Sequence, residues 1–483
     1  MKFAQPLAVH QTNIPGLLVI DLPVHGDNRG WFKENWQREK MLALGVPDFG
    51  PVQNNISFNA SAGTTRGIHA EPWDKFVSVA SGRIFGAWVD LREGTSFGTV
   101  FTAELGPDQA VFVPRGVGNA FQSLQDGTAY TYLVNDHYSP EAQHLYTFLN
   151  LADETADIYW PIPLAEAELS EKDQKHPRLA DVTPMPPLKT LVLGADGQLG
   201  RALRQQLGTA PNVEFAGRED LDLSMPDAYT GRNWRQYSTI INAAAFTDVD
   251  GAETPEGRRA AWQINVNAVT QLARIATEYR LTLVHVSSDY VFDGSSELHS
   301  ETELVSPLGV YGQSKAAADA VVLSTPRHYI LRTSWVVGDG KNFVRTMVGL
   351  ARGGVAPAVV NDQYGRLTFT QDLAAGIQHL LSTGATYGIY NLTNDGDSRS
   401  WADIAKEIYG LLGQPRDSVT GVSTAEYFAG KCAAPRPQHS TLELGKIKSA
   451  GFYPQPASQR LAEYVRDEVS AWRVREALSE KRT

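Results

Sequence analysis

The first part of the chain, from about Leu17 to Tyr146, has the hydrophobic pattern of an all-β domain. Short runs of apolar, β-branched and aromatic residues, such as "FVSVASGRIFGAWVDL" and "QAVFVP", alternate with turns rich in Gly, Pro, Asn and Asp. Apolar residues rarely recur with helical spacing in this part. Short strands separated by frequent turn signals are typical of β-sandwiches and β-barrels. We therefore predict an all-β sandwich or barrel here.

The second part has the pattern of an α/β domain. The runs "KTLVL", "STIINAAA", "LTLVHV" and "HYILRTSW" have the composition of buried strands, and helical segments separate them. Buried strands that alternate with helices form a parallel sheet covered on both faces. A doubly wound domain is predicted, and the less regular stretch from about Gly338 onward is predicted to form a small substrate lobe.

A proline-rich segment marks the boundary between the two parts. Asp181–Pro187, "DVTPMPP", contains three prolines, each of which lacks a backbone donor and restricts the preceding residue. Neither a helix nor a central strand is expected to run through it. A chain of 483 residues is long enough for two or three domains. We predict a first domain over residues 1–180, a linker over 181–187 and a second domain over 188–483.

Charge and cysteine content narrow the possible functions. The chain has 43 Lys and Arg against 54 Asp and Glu, a net charge of -11, whereas nucleic-acid binding needs a basic surface. Its single cysteine, Cys432, excludes intramolecular disulfides and cysteine-rich zinc sites. No charged start followed by an apolar run and no apolar stretch of bilayer length is evident. A cytoplasmic protein that binds neither nucleic acid nor membrane is expected.

A glycine-rich loop follows the first predicted strand of the second domain. Gly194, Gly197 and Gly200 come directly after the apolar run Leu191–Leu193 and open a helix. The free N–H groups and positive dipole end of such a helix can hold a pyrophosphate, and the glycines let the backbone approach it. The spacing alone also occurs in ordinary glycine-rich turns. Its place between a buried strand and a helix favours a Rossmann dinucleotide site.

Three further residues could carry out carbonyl reduction. Tyr311 and Lys315 lie one helical turn apart on one face, and a nearby ammonium lowers the pKa of a phenol. Such a tyrosine can protonate a carbonyl oxygen while a nicotinamide delivers hydride, and Ser288, at the end of a predicted strand, can share that oxygen. An exposed Tyr/Lys pair is the alternative that spacing alone leaves open.

The second domain resembles the extended short-chain dehydrogenase/reductases, and within them the dTDP-4-dehydrorhamnose reductases, over about residues 188–475. The motifs that carry the resemblance include "GADGQLG", "INAAAFTDVDGAE", "SSDYVFDG", "YGQSK", "RTSWVVG" and "NDQYGRLT". The resemblance implies a catalytic triad of Ser288, Tyr311 and Lys315. The cofactor-binding residues that it implies are Gly194, Gly197, Gln198, Leu199, Gly200, Arg218, Asp222, Ala243, Ala244, Tyr311 and Lys315. Thr247 and Trp335 are expected to bind the nucleotide-sugar substrate.

The cofactor is predicted to be NADPH. Arg218 follows the run "VEFAG", where a guanidinium could pair with a 2′-phosphate, and no acidic ribose ligand is obvious at the strand end. Asp220 and Asp222 lie nearby and leave NADH possible. No set of metal ligands is predicted in either domain.

The first domain contains a base and two cations close together. Arg66, His69 and Lys75 occur within the segment "TRGIHAEPWDK". Abstraction of a proton next to a ketone needs a base and a group that stabilises the enolate, and His69 and Lys75 could supply these roles. Asp173 could orient the imidazole and raise its basicity. A single histidine is also often only structural, and that alternative stays open here.

This domain looks like the dTDP-4-dehydrorhamnose 3,5-epimerases over about residues 14–178. The matching motifs include "GDNRGWFKENW", "VQNNIS", "TRGIH", "VDLREGTSFG", "VPRGVGNAF" and "LSEKD". The resemblance implies a cupin-type jelly-roll barrel that needs no cofactor and forms homo-oligomers. It makes His69 the base paired with Asp173, Tyr132 the acid on the opposite sugar face and Lys75 the enolate stabiliser. The residues expected to bind the substrate are Arg29, Gln53, Asn55, Arg66 and Asn119.

Two residues depart from the epimerase pattern, and in that pattern the two positions form one pair that supports the site. Asn119 stands where a histidine is usual, and Gly86 stands where an aspartate is common. The loop between His69 and Lys75 is also short. These departures leave open a cupin domain that is non-catalytic or acts at a single carbon.

Together the two resemblances imply consecutive reactions on one substrate. The chain is expected to epimerise dTDP-4-dehydro-6-deoxy-D-glucose at C3 and C5 and then to reduce C4, giving dTDP-L-rhamnose. One ketone would acidify the C–H bonds in the first step and accept hydride in the second. Two alternatives remain open at this stage: an active reductase fused to a non-catalytic or single-site cupin, and a different nucleotide-linked ketosugar, such as a UDP- or GDP-hexulose.

Overall fold

The computed structural model describes residues 2–137 and 144–480. Residues 138–143 of the first predicted domain and 481–483 of the second lie outside the described ranges. The chain divides into two compact units, residues 1–187 and 188–483. Among the described residues, no helix is long and apolar enough to cross a lipid bilayer.

The first unit is built from antiparallel strands, as the sequence predicts. Its strands are β1 (Ala8–Gln11), β2 (Leu18–Asp21), β3 (Val24–Asp27), β4 (Gly30–Lys33), β5 (Gln53–Asn59), β6 (Thr65–Ala70), β7 (Lys75–Ser81), β8 (Ile84–Asp90), β9 (Val100–Leu105), β10 (Gln109–Val113), β11 (Val117–Ser123), β12 (Thr128–Val134) and β13 (Thr147–Phe148). Two short helices, α1 (Arg38–Ala43) and α2 (Glu171–Gln174), accompany them.

Most of these strands form two sheets. One sheet has the order β1-β2-β10-β7-β12-β5 and the other has the order β13-β6-β11-β8-β9, while β3 and β4 form a separate hairpin. Apolar side chains of both sheets, among them Val77, Trp88 and Val111, are fully buried and pack in one cluster. Facing antiparallel sheets with an apolar interior are the architecture of β-sandwiches and jelly rolls.

The second unit is an α/β domain. Its strands are β14 (Lys189–Leu193), β15 (Val213–Ala216), β16 (Tyr237–Asn242), β17 (Thr282–Ser288), β18 (His328–Thr333), β19 (Val336–Val337), β20 (Ala358–Val360), β21 (Tyr364–Gly365), β22 (Thr368–Phe369), β23 (Gly388–Asn391), β24 (Arg399–Ser400) and β25 (Thr420–Val422). Its helices are α3 (Gln198–Leu207), α4 (Pro255–Trp262), α5 (Val269–Glu278), α6 (Val310–Leu323), α7 (Phe343–Arg352), α8 (Thr370–Thr383), α9 (Trp401–Leu411), α10 (Thr424–Tyr427), α11 (Gly445–Ser449) and α12 (Ala457–Glu480).

A parallel sheet of order β15-β14-β16-β17-β18-β23 forms the centre of this unit. Alternate residues of each strand face opposite sides, so Leu191 and Ile240 pack with one apolar cluster and Val192 and Ile241 with the other. Helices cover both faces, and the predicted doubly wound fold is confirmed.

The prediction for the stretch after Gly338 needs a correction. Part of this stretch does not belong to a separate lobe, because β23 is the sixth strand of the central sheet and α8 contributes Leu373 and Ile377 to its core. The smaller lobe has its own apolar cluster, which α7, α9 and α12 form with short strands. The sequence pattern did not reveal β23, because this strand has only 4 residues and its first two are only half buried.

Candidate active sites

The first unit contains a cleft of about 810 Å³ between its sheets and the helix α2. Six of the predicted functional side chains line it, namely Arg66, His69, Lys75, Asn119, Tyr132 and Asp173. The short strands β6, β7, β11 and β12 supply five of them, and α2 supplies the sixth. The fold therefore brings together residues that are up to 107 positions apart in the sequence.

His69 and Asp173 form a hydrogen-bonded pair in this cleft. His69 Nε2 lies 2.9 Å from Asp173 Oδ1. Burial raises the pKa of the Asp173 carboxyl, but the hydrogen bonds and charge from His69 and the Gly67 N–H outweigh this effect and hold that pKa below its usual range. The carboxylate is therefore charged and fixes the imidazole with its proton on Nε2. The lone pair of Nδ1 is then free to accept a proton.

Lys75 and Tyr132 lie on neighbouring strands of the cleft. Lys75 Nζ is 5.4 Å from the centre of the Tyr132 ring, and it forms an ion pair with Glu71. Burial lowers the pKa of Lys75 to about 7, while the Glu71 carboxylate beside it favours the ammonium form. Burial raises the pKa of Tyr132, so its phenol stays protonated and can donate a proton.

Asn119 lies beside His69. It is paired with His69 across the strands β11 and β6, and its Oδ1 accepts a hydrogen bond of 3.2 Å from the Tyr130 hydroxyl. The Tyr130 ring is itself held by stacking on Phe121, with centroids 4.2 Å apart. Arg66 Nε donates to Asn59 Oδ1 at 3.1 Å at the edge of the cleft. These contacts hold the Asn119 amide in one orientation, at the position where the resemblance leads us to expect a histidine.

Three predicted substrate residues do not line this cleft in the described parts of the chain. Arg29 lies at the exposed turn of the β3–β4 hairpin, where Asp27 forms an ion pair with it. Gln53 and Asn55 lie on β5, where Gln53 Nε2 donates to Asn55 Oδ1 at 2.9 Å. The structure of one chain does not bring these residues to His69.

Sequence reasoning missed two residues of the cleft region. Glu71 lines the cleft beside Lys75, and its position four residues before that lysine was the available signal. His176 Nε2 lies 3.9 Å from Asp173 Oδ1, and its position three residues after Asp173, just past the end of α2, was the available signal. Neither spacing distinguishes a site residue from a surface residue without the fold.

Two glycines of the loop that follows β14 pack too closely on the protein backbone to carry a side chain. Gly194 has φ +72°, and a Cβ there would lie 2.7 Å from the Ala244 backbone N. A Cβ on Gly200 would lie 2.2 Å from the Gly194 carbonyl oxygen, and Gly197 is the N-cap of α3. Only glycines fit the first and third positions, and the exposed N–H groups at the start of α3 are available to an anion.

The other predicted cofactor residues surround this loop in different ways. The amide oxygen of Gln198 accepts from the Gly338 N–H at 2.8 Å, and the side chain of Leu199 is part of the apolar core. Ala243 and Ala244 follow β16 directly, and the Ala243 N–H donates to the Leu193 carbonyl. Thr247 is exposed three residues further on. Ala243 and Ala244 therefore line one side of the glycine-rich loop, whereas Leu199 could contact a ligand only through its backbone.

Arg218 and Asp222 lie beyond the carboxyl end of β15. Arg218 Nε is 3.3 Å from Asp222 Oδ2, and the Arg218 side chain is 82% exposed. Hydrogen bonds from Ser224 and Arg218 hold the pKa of Asp222 below its usual range. The guanidinium is accessible to a phosphate, but it must share its charge with Asp222.

The predicted triad converges at the end of β17. Ser288 ends that strand, and α6 carries Tyr311 and Lys315. Burial raises the pKa of Tyr311 to about 12, and interaction with Ser288 works against this increase. Burial lowers the pKa of Lys315 to about 8, and the charge of Asp319 opposes this decrease. Lys315 Nζ donates to the Val286 carbonyl at 2.6 Å.

Three polar residues around the triad were not predicted. His285 Nε2 is 3.4 Å from Lys315 Nζ, and burial together with that charge holds the pKa of His285 far below its usual value. Asp289 accepts from Ser288 at 3.0 Å, and burial raises its pKa to about 6. Asn265 lies in a π-helical turn and donates to Ser314 at 2.9 Å, next to the lysine. The π turn was not visible in the sequence pattern.

Trp335 lies in the second unit after β18. Its ring stacks on Trp401 with centroids 3.7 Å apart, and a Cβ on Gly365 would lie 2.9 Å from the indole. The indole is half buried. Packing on these neighbours fixes its orientation.

Both parts of the chain match known protein families. Residues 11–181 match the family model of dTDP-4-dehydrorhamnose 3,5-epimerase, and residues 188–470 match that of the RmlD substrate binding domain. A relative from Streptococcus pyogenes serotype M6, described as "Protein RmlC homolog", is 51% identical over 191 residues, which cover 38% of this chain and 96% of the relative.

The second part has relatives among the reductases. The dTDP-4-dehydrorhamnose reductase of Aggregatibacter actinomycetemcomitans is 37% identical over 290 residues, which cover 57% of this chain and 96% of that protein. The crystal structure of dTDP-4-dehydrorhamnose reductase from Bacillus anthracis str. Ames in complex with NADP is 32% identical, with a TM-score of 0.54, and covers 58% of this chain and 99% of that chain. These matches confirm both resemblances predicted from the motifs.

Proposed function

The chain belongs to the dTDP-4-dehydrorhamnose 3,5-epimerases through its first unit and to the dTDP-4-dehydrorhamnose reductases through its second, and from this premise we propose that it is a bifunctional enzyme of dTDP-L-rhamnose biosynthesis. The first unit converts dTDP-4-dehydro-6-deoxy-D-glucose to dTDP-4-dehydro-L-rhamnose. The second reduces C4 of that product. The two reactions are consecutive because the product of the first is the substrate of the second.

His69 is the base of the epimerisation in this proposal. The Asp173 carboxylate, 2.9 Å from Nε2, stabilises the imidazolium that forms when Nδ1 takes a proton from the carbon next to the ketone. The electron pair moves onto the ketone oxygen, where the Lys75 ammonium stabilises the enolate. Tyr132, which burial keeps protonated, returns a proton to the opposite face of the carbon. Release of the proton from His69 to solvent and reprotonation of the Tyr132 phenolate from solvent restore both groups, so the cycle can run at C3 and at C5 without a cofactor.

The triad of the second unit completes the reduction. NADPH, when bound, supplies the hydride to C4. Tyr311 donates its phenolic proton to the C4 oxygen, and Ser288 donates a hydrogen bond to the same oxygen. The charge of Lys315 stabilises the phenolate that remains. The polar groups around it, His285 and the Val286 carbonyl, hold the lysine at the centre of the fold.

The residues present fit a dinucleotide phosphate. Gly194 and Gly200 let the loop pack directly on the backbone of Ala244 and on its own first turn, where a Cβ would collide, and this close packing leads into the start of α3, whose free N–H groups can bind a phosphate. Arg218 is accessible beyond β15 and can pair with a 2′-phosphate, which favours NADPH over NADH. Asp222, 3.3 Å away, competes for the same guanidinium and leaves NADH as a weaker cofactor.

The first unit is proposed to assemble with copies of itself. The edge strand β5 exposes Ile56 and Phe58, at 68% and 66%, and the β3–β4 hairpin exposes Phe32 at 69%. Exposed apolar groups on an edge strand are typical of interaction surfaces, and Ile56 and Phe58 also line the mouth of the cleft. Analytical ultracentrifugation tests this assembly, and a strictly monomeric chain would contradict it.

The His69–Asp173 pair in a cleft with Lys75 and Tyr132 is the observation that carries the proposal. Its test is incubation of the full chain with dTDP-4-dehydro-6-deoxy-D-glucose and NADPH, with NMR identification of the product. We expect dTDP-L-rhamnose. A 6-deoxyhexose that keeps the D-gluco configuration at C3 and C5 would leave only the reductase half of the proposal standing. No turnover of this substrate, with turnover of a UDP- or GDP-linked ketosugar, would overturn the assignment of the nucleotide.

A further inference from the structure

Three side chains beside the cleft of the first unit lie close enough to hold one metal ion. One ligand atom each from His69, Asp173 and His176 all lie within 4.8 Å of one another. His69 Nε2 is 2.9 Å from Asp173 Oδ1, and His176 Nε2 is 3.9 Å from the same oxygen. Ligands at about 2.0–2.2 Å from a tetrahedral zinc ion are roughly 3–3.5 Å apart. Binding of an ion therefore needs the His176 ring to move closer to Asp173 and the His69 and Asp173 side chains to move slightly apart.

His176 is the residue that points to a ligand. Its side chain is only 7% exposed. The Leu149 backbone approaches the ring, but neither ring nitrogen forms a hydrogen bond of ordinary geometry within the described part of the chain. Stacking on Phe148, with centroids 4.7 Å apart, fixes the ring, and it meets the His69 ring edge-on at 5.3 Å. A buried imidazole whose nitrogens lack well-formed hydrogen bonds is costly, and neither proposed reaction uses His176.

We propose that His69, Asp173 and His176 form a binding site for a divalent transition-metal cation, and that its occupation switches off the epimerase. Two imidazoles and one carboxylate are a donor set that suits Zn²⁺ and Co²⁺, with the remaining positions open to water. The carboxylate offsets part of the charge of the ion. Metal binding follows from the geometry alone, whereas its inhibitory consequence rests on the proposed function.

The inhibition follows from the two nitrogens of His69. Without metal, Nε2 carries the proton that Asp173 accepts, and the Nδ1 lone pair is the base. An ion between His69 and Asp173 takes the Nε2 lone pair, so the neutral ring must carry its proton on Nδ1. The proton that was on Nε2 is thereby replaced by one on Nδ1, the nitrogen that acts as the base in the proposed reaction. A ring in this tautomer cannot remove a proton from the sugar.

Co²⁺ titration of the untagged full chain, followed by visible absorption, tests the site. His176→Phe keeps an aromatic ring on Phe148 but removes the ligand. His10→Phe is the matched control, because His10 also pairs with a carboxylate, Asp21, at 2.8 Å, but lies outside the cluster. We expect one Co²⁺ per chain with strong absorption of low-coordinate cobalt in the wild type and in His10→Phe. In His176→Phe the affinity should fall by at least about 10- to 100-fold.

Ring-proton exchange of the ketosugar in deuterium oxide is the second readout. Zn²⁺ should stop this exchange in the wild type, EDTA should restore it, and His176→Phe should resist the metal. Reduction of authentic dTDP-4-dehydro-L-rhamnose should continue at the same Zn²⁺ concentration, which shows that the ion has not simply sequestered the substrate. If His176→Phe does not fold, as judged by circular dichroism, His176→Asn takes its place with the same expectation.

The outcomes separate this proposal from the proposed function. Equal Co²⁺ binding by the wild type and the His176 variant, or no cobalt absorption at all, would overturn the site. Metal binding with undiminished exchange would overturn the inhibition. Cobalt binding that depends on His176, in a chain that never exchanges the sugar protons even without metal, would support the site and count against the epimerase.

Discussion

The indole ring of Trp88 fills the space into which a side chain at position 86 would project. A Cβ on Gly86 would lie 2.3 Å from Trp88 Cη2, because the two residues are two positions apart on the same face of β8. Trp88 is fully buried. The epimerase resemblance leads us to expect an aspartate at position 86. In this chain the Trp88 ring takes the space that such a side chain would need, so the glycine at 86 and the tryptophan at 88 depend on each other.

Restoring the expected pair should harm the protein. We predict that Gly86→Asp, alone or with Asn119→His, lowers the stability of the first unit by about 1–3 kcal/mol or more, because the new side chain collides with Trp88 and buries a carboxylate. Calorimetric unfolding measures this change. Gly349→Asp is the control, since nothing lies within 4 Å of a Cβ there. Unchanged stability of Gly86→Asp would contradict the packing argument.

The two active sites should fail independently. We predict that Tyr311→Phe lowers NADPH oxidation by about 10²- to 10⁴-fold while ring-proton exchange continues, because the phenol serves only the C4 reduction. His69→Ala should stop the exchange, yet authentic dTDP-4-dehydro-L-rhamnose should still be reduced. Tyr329→Phe is the control for loss of a buried hydroxyl, since Tyr329 donates to the Ala385 carbonyl. Loss of both activities in a folded single variant would argue against separate sites.

Arg218 should set the cofactor preference. We predict that the wild type prefers NADPH and that Arg218→Ala reduces this preference by about tenfold or more, because a charge-assisted contact is worth roughly 1.5–3 kcal/mol. The ratio of kcat/KM values for NADPH and NADH is the measurement. Arg259→Ala is a matched control, because Arg259 is an exposed helix arginine paired with Glu256 at 2.9 Å. An unchanged ratio in Arg218→Ala would remove the assignment.

The reductase should lose activity as pH rises through the pKa of Lys315. Burial lowers that pKa to about 8, and the Asp319 charge limits the decrease. Below this pH the ammonium stabilises the phenolate, and above it the neutral amine does not. Tyr311, with a pKa raised to about 12, stays protonated across this range and cannot cause the loss. We predict that kcat/KM for the reduction falls above about pH 8.

Asp319→Asn provides the comparison for the pH profile. Removal of the charge that favours the Lys315 ammonium should move the fall in kcat/KM to lower pH. The folded state must be checked, because Asp319 also forms a buried ion pair with Arg332 at 3.0 Å. A profile that stays level well above pH 8 in the wild type, or that does not move in the variant, would contradict the role of Lys315.

The sequence motifs identified the residues with proposed chemical roles, but they did not reveal the contacts that hold these residues in place. Spacing alone placed Tyr311 one turn before Lys315 and Ser288 at a strand end, because helix and strand periodicities are local. The Glu71–Lys75 ion pair, His176 beside Asp173 and the collision of Gly86 with Trp88 depend on side-chain packing, which no local pattern encodes. Arg29 lies on an exposed hairpin turn outside the cleft of one chain, so its expected role in substrate binding stays a prediction.

The epimerase is expected to invert both C3 and C5 although the histidine at position 119 is missing. Inversion needs a base on one face and an acid on the other, and His69 with Tyr132 meets that requirement. Asn119, held by Tyr130 at 3.2 Å, can help bind the sugar but cannot carry its charge, so the rate should be lower. In deuterium oxide without NADPH, both H3 and H5 should exchange, one faster than the other.

Tyr130→Phe, which frees the Asn119 amide, should slow both exchanges. Exchange at one carbon only would make this a single-site epimerase, and none in a substrate-binding chain would make the cupin unit non-catalytic.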